Sequence, residues 1–408
     1  MHVYDPDEVA RVVLNVYSTL AFKPPGDKFT ILAAFLLWNT SSDELKIISL
    51  ATGSKCLPEI RLCEEGDVLH DSHAEVLARR SAIRWFLEEV DRSHTSPSDW
   101  IDRPRSERFA LRSNVQVVLY VSTVPCGDAS MRYLASFQDA EMAALKDSSQ
   151  FPVLPPNVAS RGRDNYSLFG VLRTKPGRAD SPPTRCMSCS DKIASWNVLG
   201  FQGALASRIL EPLYLDHIVI GDVDDSLQSV VHEDCERAFW RRLEGLDVTQ
   251  LPTRFSLRRP TVSFTMVRFV HSSLSLGLSS SCNDSLCWTA DSTPTHEVLI
   301  NGLKRGVPPK HRHNPKFRPR LCKLSLFNLY RRIAASIHTN SQFDTLTYRE
   351  TKQSMADYQA AKAVLQGPNG PFAGWIKTGS QWESFDFDGI PREPLLDEDS
   401  SAVSDKQI

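Results

Sequence analysis

Apolar positions along the chain fall either into helical spacing or into short unbroken runs. Residues 8 to 22 carry the helical pattern, and two apolar runs, "FTILAAFLLW" and "LKIISLATG", then flank the polar turn "NTSSDE". Runs of that length bounded by turn residues predict a hairpin of buried strands. The helical rhythm returns from His73 to about Asp91 in "HAEVLARRSAIRWFLEEVD". A polar loop from Arg92 to Asn114 leads to the strand "VQVVLYVS", and "PCGDASMRYLASF" predicts a second helix opened by Cys126. Further on come a helix from Cys189 to about Gly200, the strand "YLDHIVIG" and the helix "SVVHEDCERAFWRRLEGL". Two C-terminal helices are predicted near 323–338 and 346–366. Strands alternating with helices make the chain α/β, with extra helices at its C-terminal end.

Between these elements the pattern breaks. From Gln138 to Leu168 the composition turns to Pro, Ser, Asn and Asp, which predicts a surface insertion over 138–168. The Ser-rich stretch 272–296 is expected to be a second inserted loop. The tail 395–408 is acidic and polar, and disorder is expected there. Residues 1–394 are expected to form a single domain.

Composition narrows the class. The 408 residues are 24% charged and 41% hydrophobic, ordinary values for a globular chain. The longest apolar run, "ILAAFLLW", is too short to span a bilayer. The N-terminus lacks a basic segment followed by an apolar one, so an intracellular protein is expected, in cytoplasm or nucleus. The nine cysteines show no disulfide rhythm, which favours reduced thiols, some of them metal ligands. A formal net charge of −2 means that any contact with nucleic acid must come from a local basic patch.

The candidate chemistry gathers at predicted helix starts. His73 opens one helix and Cys126 another, in "SHAE" and "VPCGD". Helix N-termini stabilise negative charge and favour thiolate, the form that binds metal. Cys186 and Cys189 form a C-x-x-C in "CMSCSDKI", and on spacing alone either serves as a third ligand. One His and two Cys leave a fourth position open, the catalytic pattern for zinc. Glu75, two residues from His73, reaches that open side without being a ligand. A carboxylate there takes a proton from zinc-activated water and passes it to a leaving amine, as in nucleobase deaminases. The usual P-C-x-x-C is interrupted, since Ala129 stands where its second cysteine would be.

The segments "DSHAEVLARRS", "VSTVPCGDASM", "RTKPG" and "MSCSDKIASWNVLGFQGAL" resemble one deaminase domain. It is shared by the adenosine deaminases that edit double-stranded RNA and by the eukaryotic tRNA-specific adenosine deaminase 1 family. The resemblance runs from about Lys23 to Lys377. It implies a cytidine-deaminase-like mixed sheet with helices on both faces, extended by a C-terminal helical region around a buried inositol polyphosphate. It also implies that His73, Cys126 and Cys189 hold Zn2+ and that Glu75 is the catalytic acid/base. Because the metal motif begins near residue 70 and "RTKPG" stands before a short loop, the tRNA branch is expected. The implied substrate is the adenosine next to the anticodon, adenosine 37, of alanine tRNA, which is converted to inosine.

The same resemblance implies that inositol hexakisphosphate is bound by Arg79, Arg80, Lys192, Lys323, Tyr348, Lys352, Tyr358, Lys362 and Trp375. Tyr348, Lys352, Tyr358 and Lys362 form a repeated Y-x-x-x-K that falls within roughly 120° of one helix face. Such a cationic face, turned inward, needs counter-charge. Ser195 and His70 depart from the editors, which have arginine and asparagine there. Asp71, Lys175, Lys192, Trp196 and Gln202 match a polar relay between the polyphosphate and the zinc. Ser54 and Lys55 match a loop that approaches RNA in the editors, Arg178 lies in the short loop after "RTKPG", and the basic run from Lys304 to Arg320 is a further candidate for phosphate contact.

Three readings compete: a tRNA adenosine deaminase, a deaminase of another structured or double-stranded RNA, and a non-catalytic RNA-binding subunit. The presence of Glu75 argues against the third. No membrane association and no obligate protein partner are expected.

Overall fold

The structure, a computed structural model, describes residues 5–103, 108–137, 154–162, 167–177, 181–337 and 345–393. Its centre is an eight-stranded mixed sheet. In chain order its strands are β1 (Leu32–Asn39), β2 (Glu44–Thr52), β3 (Val115–Val121), β4 (His217–Ile220), β5 (Thr261–Phe264), β6 (Asp284–Thr289), β7 (His296–Ile300) and β8 (Leu303–Lys304). In space they run β5-β4-β3-β1-β2-β6-β7-β8. β1 lies antiparallel to both β2 and β3, whereas β3, β4 and β5 are mutually parallel.

β1 explains why its sequence is apolar throughout rather than alternating. Ala33, Phe35 and Leu37 face the layer containing the Ala74–Ser93 helix, while Leu32, Ala34 and Leu36 face the Pro6–Thr19 helix on the other side. A strand buried on both faces has no position for a polar side chain. A third apolar cluster joins the Cys189–Leu199 helix, through Ala194, Val198 and Leu199, to the C-terminal Ala361, Leu365 and Phe372.

The predicted hairpin and the helices at Pro6–Thr19, Ala74–Ser93, Cys189–Leu199 and Asp225–Phe239 are present. Three expectations are corrected. Residues 272–296 are not one loop, because Asp284–Thr289 forms β6 and pairs with both β2 and β7. The one serine in this strand, Ser285, is compatible with burial because its hydroxyl donates to the Ser72 carbonyl at 3.4 Å. The expected 346–366 helix is two, Tyr348–Gln353 and Ala356–Gln366, broken where Met355 (ψ 72°) turns the chain inward. Cys126 does not open a helix: a 3-10 turn at Asp128–Ser130 intervenes before the short Met131–Ser136 helix. Most of the expected insertion at 138–168, Arg178 and the tail 395–408 lie outside the described residues.

Phe35 is fully buried and packs against Trp196 and Phe201 at ring-centroid distances of 6.1 and 5.0 Å. Phe35→Ala is expected to cost about 3–5 kcal/mol of stability, read from chemical denaturation of the purified protein.

Candidate active site

The site forms where β2 ends. Gly53 turns the chain with φ +143°, and a Cβ there would lie 2.1 Å from the Ser72 carbonyl oxygen, so only glycine fits. The following strand, Ser54–Cys56, pairs antiparallel with Asp71–His73, and Ala74 donates its N–H to the Gly53 carbonyl at 3.0 Å. This short ribbon places His73 directly before the Ala74–Ser93 helix, as its N-cap.

The serines and aspartate of "MSCSDK" position the cysteines. Ser188 caps the Cys189–Leu199 helix by accepting from the Asp191 N–H. Ser190 donates its hydroxyl to the Cys126 carbonyl at 2.9 Å. Asp191, fully buried, accepts from the Arg173 N–H at 2.9 Å and from the Arg242 guanidinium at 2.6 Å. Gly127, with φ +108°, lets the loop press against this helix start, since a Cβ would meet the Ser188 hydroxyl at 2.2 Å.

The three donor atoms therefore converge. Cys126 Sγ lies 3.7 Å and Cys189 Sγ 3.5 Å from His73 Nδ1. A tetrahedral ion with bonds of about 2.1–2.3 Å sets its donors roughly 3.5–3.8 Å apart, so the residues fit zinc. Cys186 lies elsewhere, grouped with Cys56 and Asp71, which leaves Cys189 as the cysteine that completes the group.

The expectation of a helix N-terminus beside Cys126 holds in a different form. The Cys189 N–H, at the start of its own helix, points to Cys126 Sγ at 3.4 Å. A hydrogen bond from the Cys189 thiol, with the charges of Lys175 and His73, holds Cys126 well below the ordinary thiol range. Burial and the neighbouring Cys126 push Cys189 up instead. Two thiolates side by side need a cation, and a divalent ion supplies it. Glu75 is 2% exposed and its Oε2 has no hydrogen-bond partner. Burial and the charge of Cys126 raise its pKa.

Beneath the donors lies a charged chain. Asp71 accepts from the Lys175 ammonium at 2.8 Å, from Lys192 and from the His73 N–H at 3.0 Å. Lys175 also donates to Cys189 Sγ at 3.2 Å. Against the cost of burial, Lys175 and Lys192 hold Asp71 well below the carboxylate range. Two residues expected in this relay stand apart from it. The amide of Gln202 is occupied by the Leu199 carbonyl and the Leu213 N–H, and Trp196 lies under the Arg79 guanidinium at 5.4 Å.

A second polar centre opens between the Ala74–Ser93 helix and the C-terminal helices. Arg79, Arg80, Lys323, Tyr348, Lys352, Tyr358 and Lys362 turn toward it from four helices, with electrostatic influence among them. Glu383 pairs with Lys352 at 2.6 Å and Lys323 at 3.3 Å, and against burial these two hold it down to about 2. Among the described residues, no carboxylate lies within ion-pair distance of Arg79, Arg80 or Lys362. Burial pushes Lys362 and Lys323 down to about 8. His70 Nε2 is buried without a partner. Trp375 stacks on Phe372 at 5.9 Å, at the margin of this region.

The profile of the adenosine-deaminase (editase) domain matches residues 49–379, a span containing the three donors, Glu75 and the cationic centre. The chain belongs to that family. This deaminase is 30% identical to the tRNA-specific adenosine deaminase 1 of Schizosaccharomyces pombe, over 92% of its own length and 96% of the relative's. It is also 30% identical to the protein of that name from Drosophila melanogaster, over 87% and 90% of the two chains. A double-stranded RNA-specific editase from Drosophila melanogaster is 28% identical over 88% of this chain, which spans 51% of the editase. The chain is thus an enzyme that deaminates adenosine.

Sequence reasoning missed two features of this deaminase. Glu383 was invisible because its lysine partners lie 31 and 60 positions away, with no local pattern. Cys56, whose thiol donates to Asp71 at 3.3 Å, looked like any strand cysteine. Of the residues expected near RNA, Ser54 lies in the ribbon opposite His73 with its hydroxyl buried and unpartnered, and Lys55 is exposed.

Asp191→Ala removes the acceptor that braces Arg173, Arg242 and the helix start below both cysteines. The variant is expected to lose metal at least tenfold more readily than wild type in chelator competition, followed by elemental analysis.

Proposed function

We propose that this deaminase converts adenosine to inosine in tRNA, at position 37 beside the anticodon, with alanine tRNA as its substrate. The observation that carries the chemistry is the buried Glu75 carboxylate, its Oε2 without a partner, in a chain whose His73, Cys126 and Cys189 form a donor group. The tRNA assignment is supported by relatives named tRNA-specific adenosine deaminase 1 that align along 90% or more of their own length. A base in an anticodon loop is already single-stranded, so little unpairing energy is needed to present it.

His73, Cys126 and Cys189 would hold zinc. Bound there, zinc supplies a Lewis acid that makes a water acidic near neutral pH. Glu75 takes a proton from the attacking water, holds it at its carboxylate and returns it to the amine nitrogen leaving C6. Water and adenosine thereby give inosine and ammonia. Burial, which raises the pKa of Glu75, suits it to hold that proton between the two transfers. Asp71 fixes the His73 backbone, and Lys175 stabilises the thiolate of Cys189.

The cationic centre would hold inositol hexakisphosphate. Of five half-buried cations only Lys323 and Lys352 pair with a carboxylate, that of Glu383, and the partnerless His70 nitrogen offers a further donor. An inward cationic cluster of this kind is costly without an anion. Arg79, Arg80, Lys323, Lys352 and Lys362 would bind phosphates, with Lys192 linking them to Asp71. Tyr348 and Tyr358 lie among these cations as hydroxyl donors, and Trp375 closes the margin.

The reaction is tested by nucleoside mass spectrometry of an alanine-tRNA transcript. Inosine is expected at position 37 with wild type, and none with Glu75→Ala, whose zinc content stays at one per chain. Turnover by the variant would sink the assigned role. Lys362→Met tests the anion by its sign. If a polyphosphate fills the centre, the variant loses a phosphate partner and its Tm falls by several degrees. An unfilled centre would instead be relieved of an unpaired buried charge, and Tm would hold or rise.

A further inference from the structure

The densest positive charge in the sequence extends from Lys323 of the cationic centre into a segment outside both centres. Residues 298–343 contain ten Lys and Arg and no Asp or Glu; with a net charge of −2 for the whole chain, the remaining residues sum to −12. Part of this charge is consumed internally. Arg305 pairs with Asp284 at 2.7 Å, His313 contacts Asp67 at 2.7 Å and Arg320 lies 3.7 Å from Glu88. Lys310, Arg312 and Lys316 are different. All three are exposed, and among the described residues no carboxylate lies within ion-pair distance of any of them.

Prolines restrict the backbone presenting them. Two 3-10 turns, Pro309–His311 and Pro315–Phe317, each begin with proline, and Asn314 caps the second. Proline fixes φ, so little entropy is lost when such a loop meets a partner. Its place is equally constrained. Strand register aligns Cys287 with Ala51 and Asp284 with Ile300, so the Ile300 end of β7 lies at the same sheet edge as the Gly53 turn. There the Gly302 carbonyl accepts from the Leu69 N–H at 3.0 Å, and Asp67 anchors His313. Residues 67–69 run directly into Asp71–His73. Arg312 donates to His313 Nε2 at 3.2 Å, and Lys316 lies over the Phe317 ring. The three cations, which have no carboxylate partner among the described residues, therefore sit on a loop braced against the segment that carries His73.

We propose that Lys310, Arg312 and Lys316 form a phosphate-gripping surface for the helical stem next to the target adenosine, which for a tRNA is the anticodon stem. The proposal rests on the tRNA reading above. Charges of one sign on a proline-restricted loop suit the backbone of an RNA helix, whose deep major groove hides its bases and leaves phosphates and ribose to be contacted. They position the RNA without reading its sequence.

The test compares the full-length wild type with the triple variant Lys310→Ala/Arg312→Ala/Lys316→Ala, measuring inosine formation on whole tRNA across a salt series. KM is expected to rise about tenfold with kcat within twofold. The log–log salt dependence of kcat/KM should flatten by about 2 units, since each lost phosphate contact removes roughly 0.7–0.9. The charge-preserving variant Lys310→Arg/Arg312→Lys/Lys316→Arg should restore both. Wild type that makes inosine, with a triple variant unchanged in KM and slope, overturns the surface alone. Wild type that makes no inosine in any tRNA overturns the substrate reading, and the surface with it. A triple variant that loses binding to anionic phospholipid vesicles but keeps its tRNA salt slope overturns the RNA assignment in favour of a membrane.

Discussion

The buried carboxylate of Asp71 is the constraint on which the rest of the site depends. It accepts from the His73 N–H, from Lys175 and from Lys192 at once, while Lys175 reaches Cys189. One anion thereby fixes one candidate metal donor by its backbone, a second through a lysine, and the Lys192 ammonium. Burying these charges is costly, and only mutual pairing offsets it; removing one partner of such a pair typically costs about 3–5 kcal/mol. The chain has concentrated that cost where position matters most, between the metal donors and the cationic centre.

The two centres pose opposite electrostatic problems with the same solution. At the first, two cysteines and Glu75 gather around His73, and burial, followed by the neighbouring Cys126, raises the pKa of both Cys189 and Glu75. At the second, arginines and lysines gather, and burial, followed by the charge of Lys352, lowers the pKa of Lys323 and Lys362. Each centre calls for a charge of the other sign. The Ala74–Ser93 helix carries both, with Glu75 in its first turn and Arg79 and Arg80 one turn later. That explains the paired arginines in an otherwise buried helix. They face the C-terminal helices, while Ala78 and Ala82 on the same helix pack in the core.

The exposed basic loop belongs to a third electrostatic zone. A nearly neutral chain has little long-range attraction for RNA, so a local concentration of cations must supply it. Placing it on proline-stiffened backbone beside the metal-bearing ribbon combines attraction with alignment.

Local chemistry was legible in the sequence. The His73–Glu75 spacing, the Cys126 and Cys189 motifs and the fully apolar β1 all announce themselves, because ligand types and burial leave short-range signatures. The tertiary structure decided everything that depends on distant partners. It brought Cys189 rather than Cys186 to His73, the choice that the family resemblance implies and that spacing alone leaves open. It turned 284–289, within the Ser-rich stretch 272–296, into an interior strand of the sheet, because pairing with β2 outweighs weak strand propensity. It broke the last helix at Met355, detached Gln202 from the relay and brought Glu383 between two lysines. Those outcomes are set by contacts between residues tens to hundreds of positions apart, and no periodicity in a single chain encodes them.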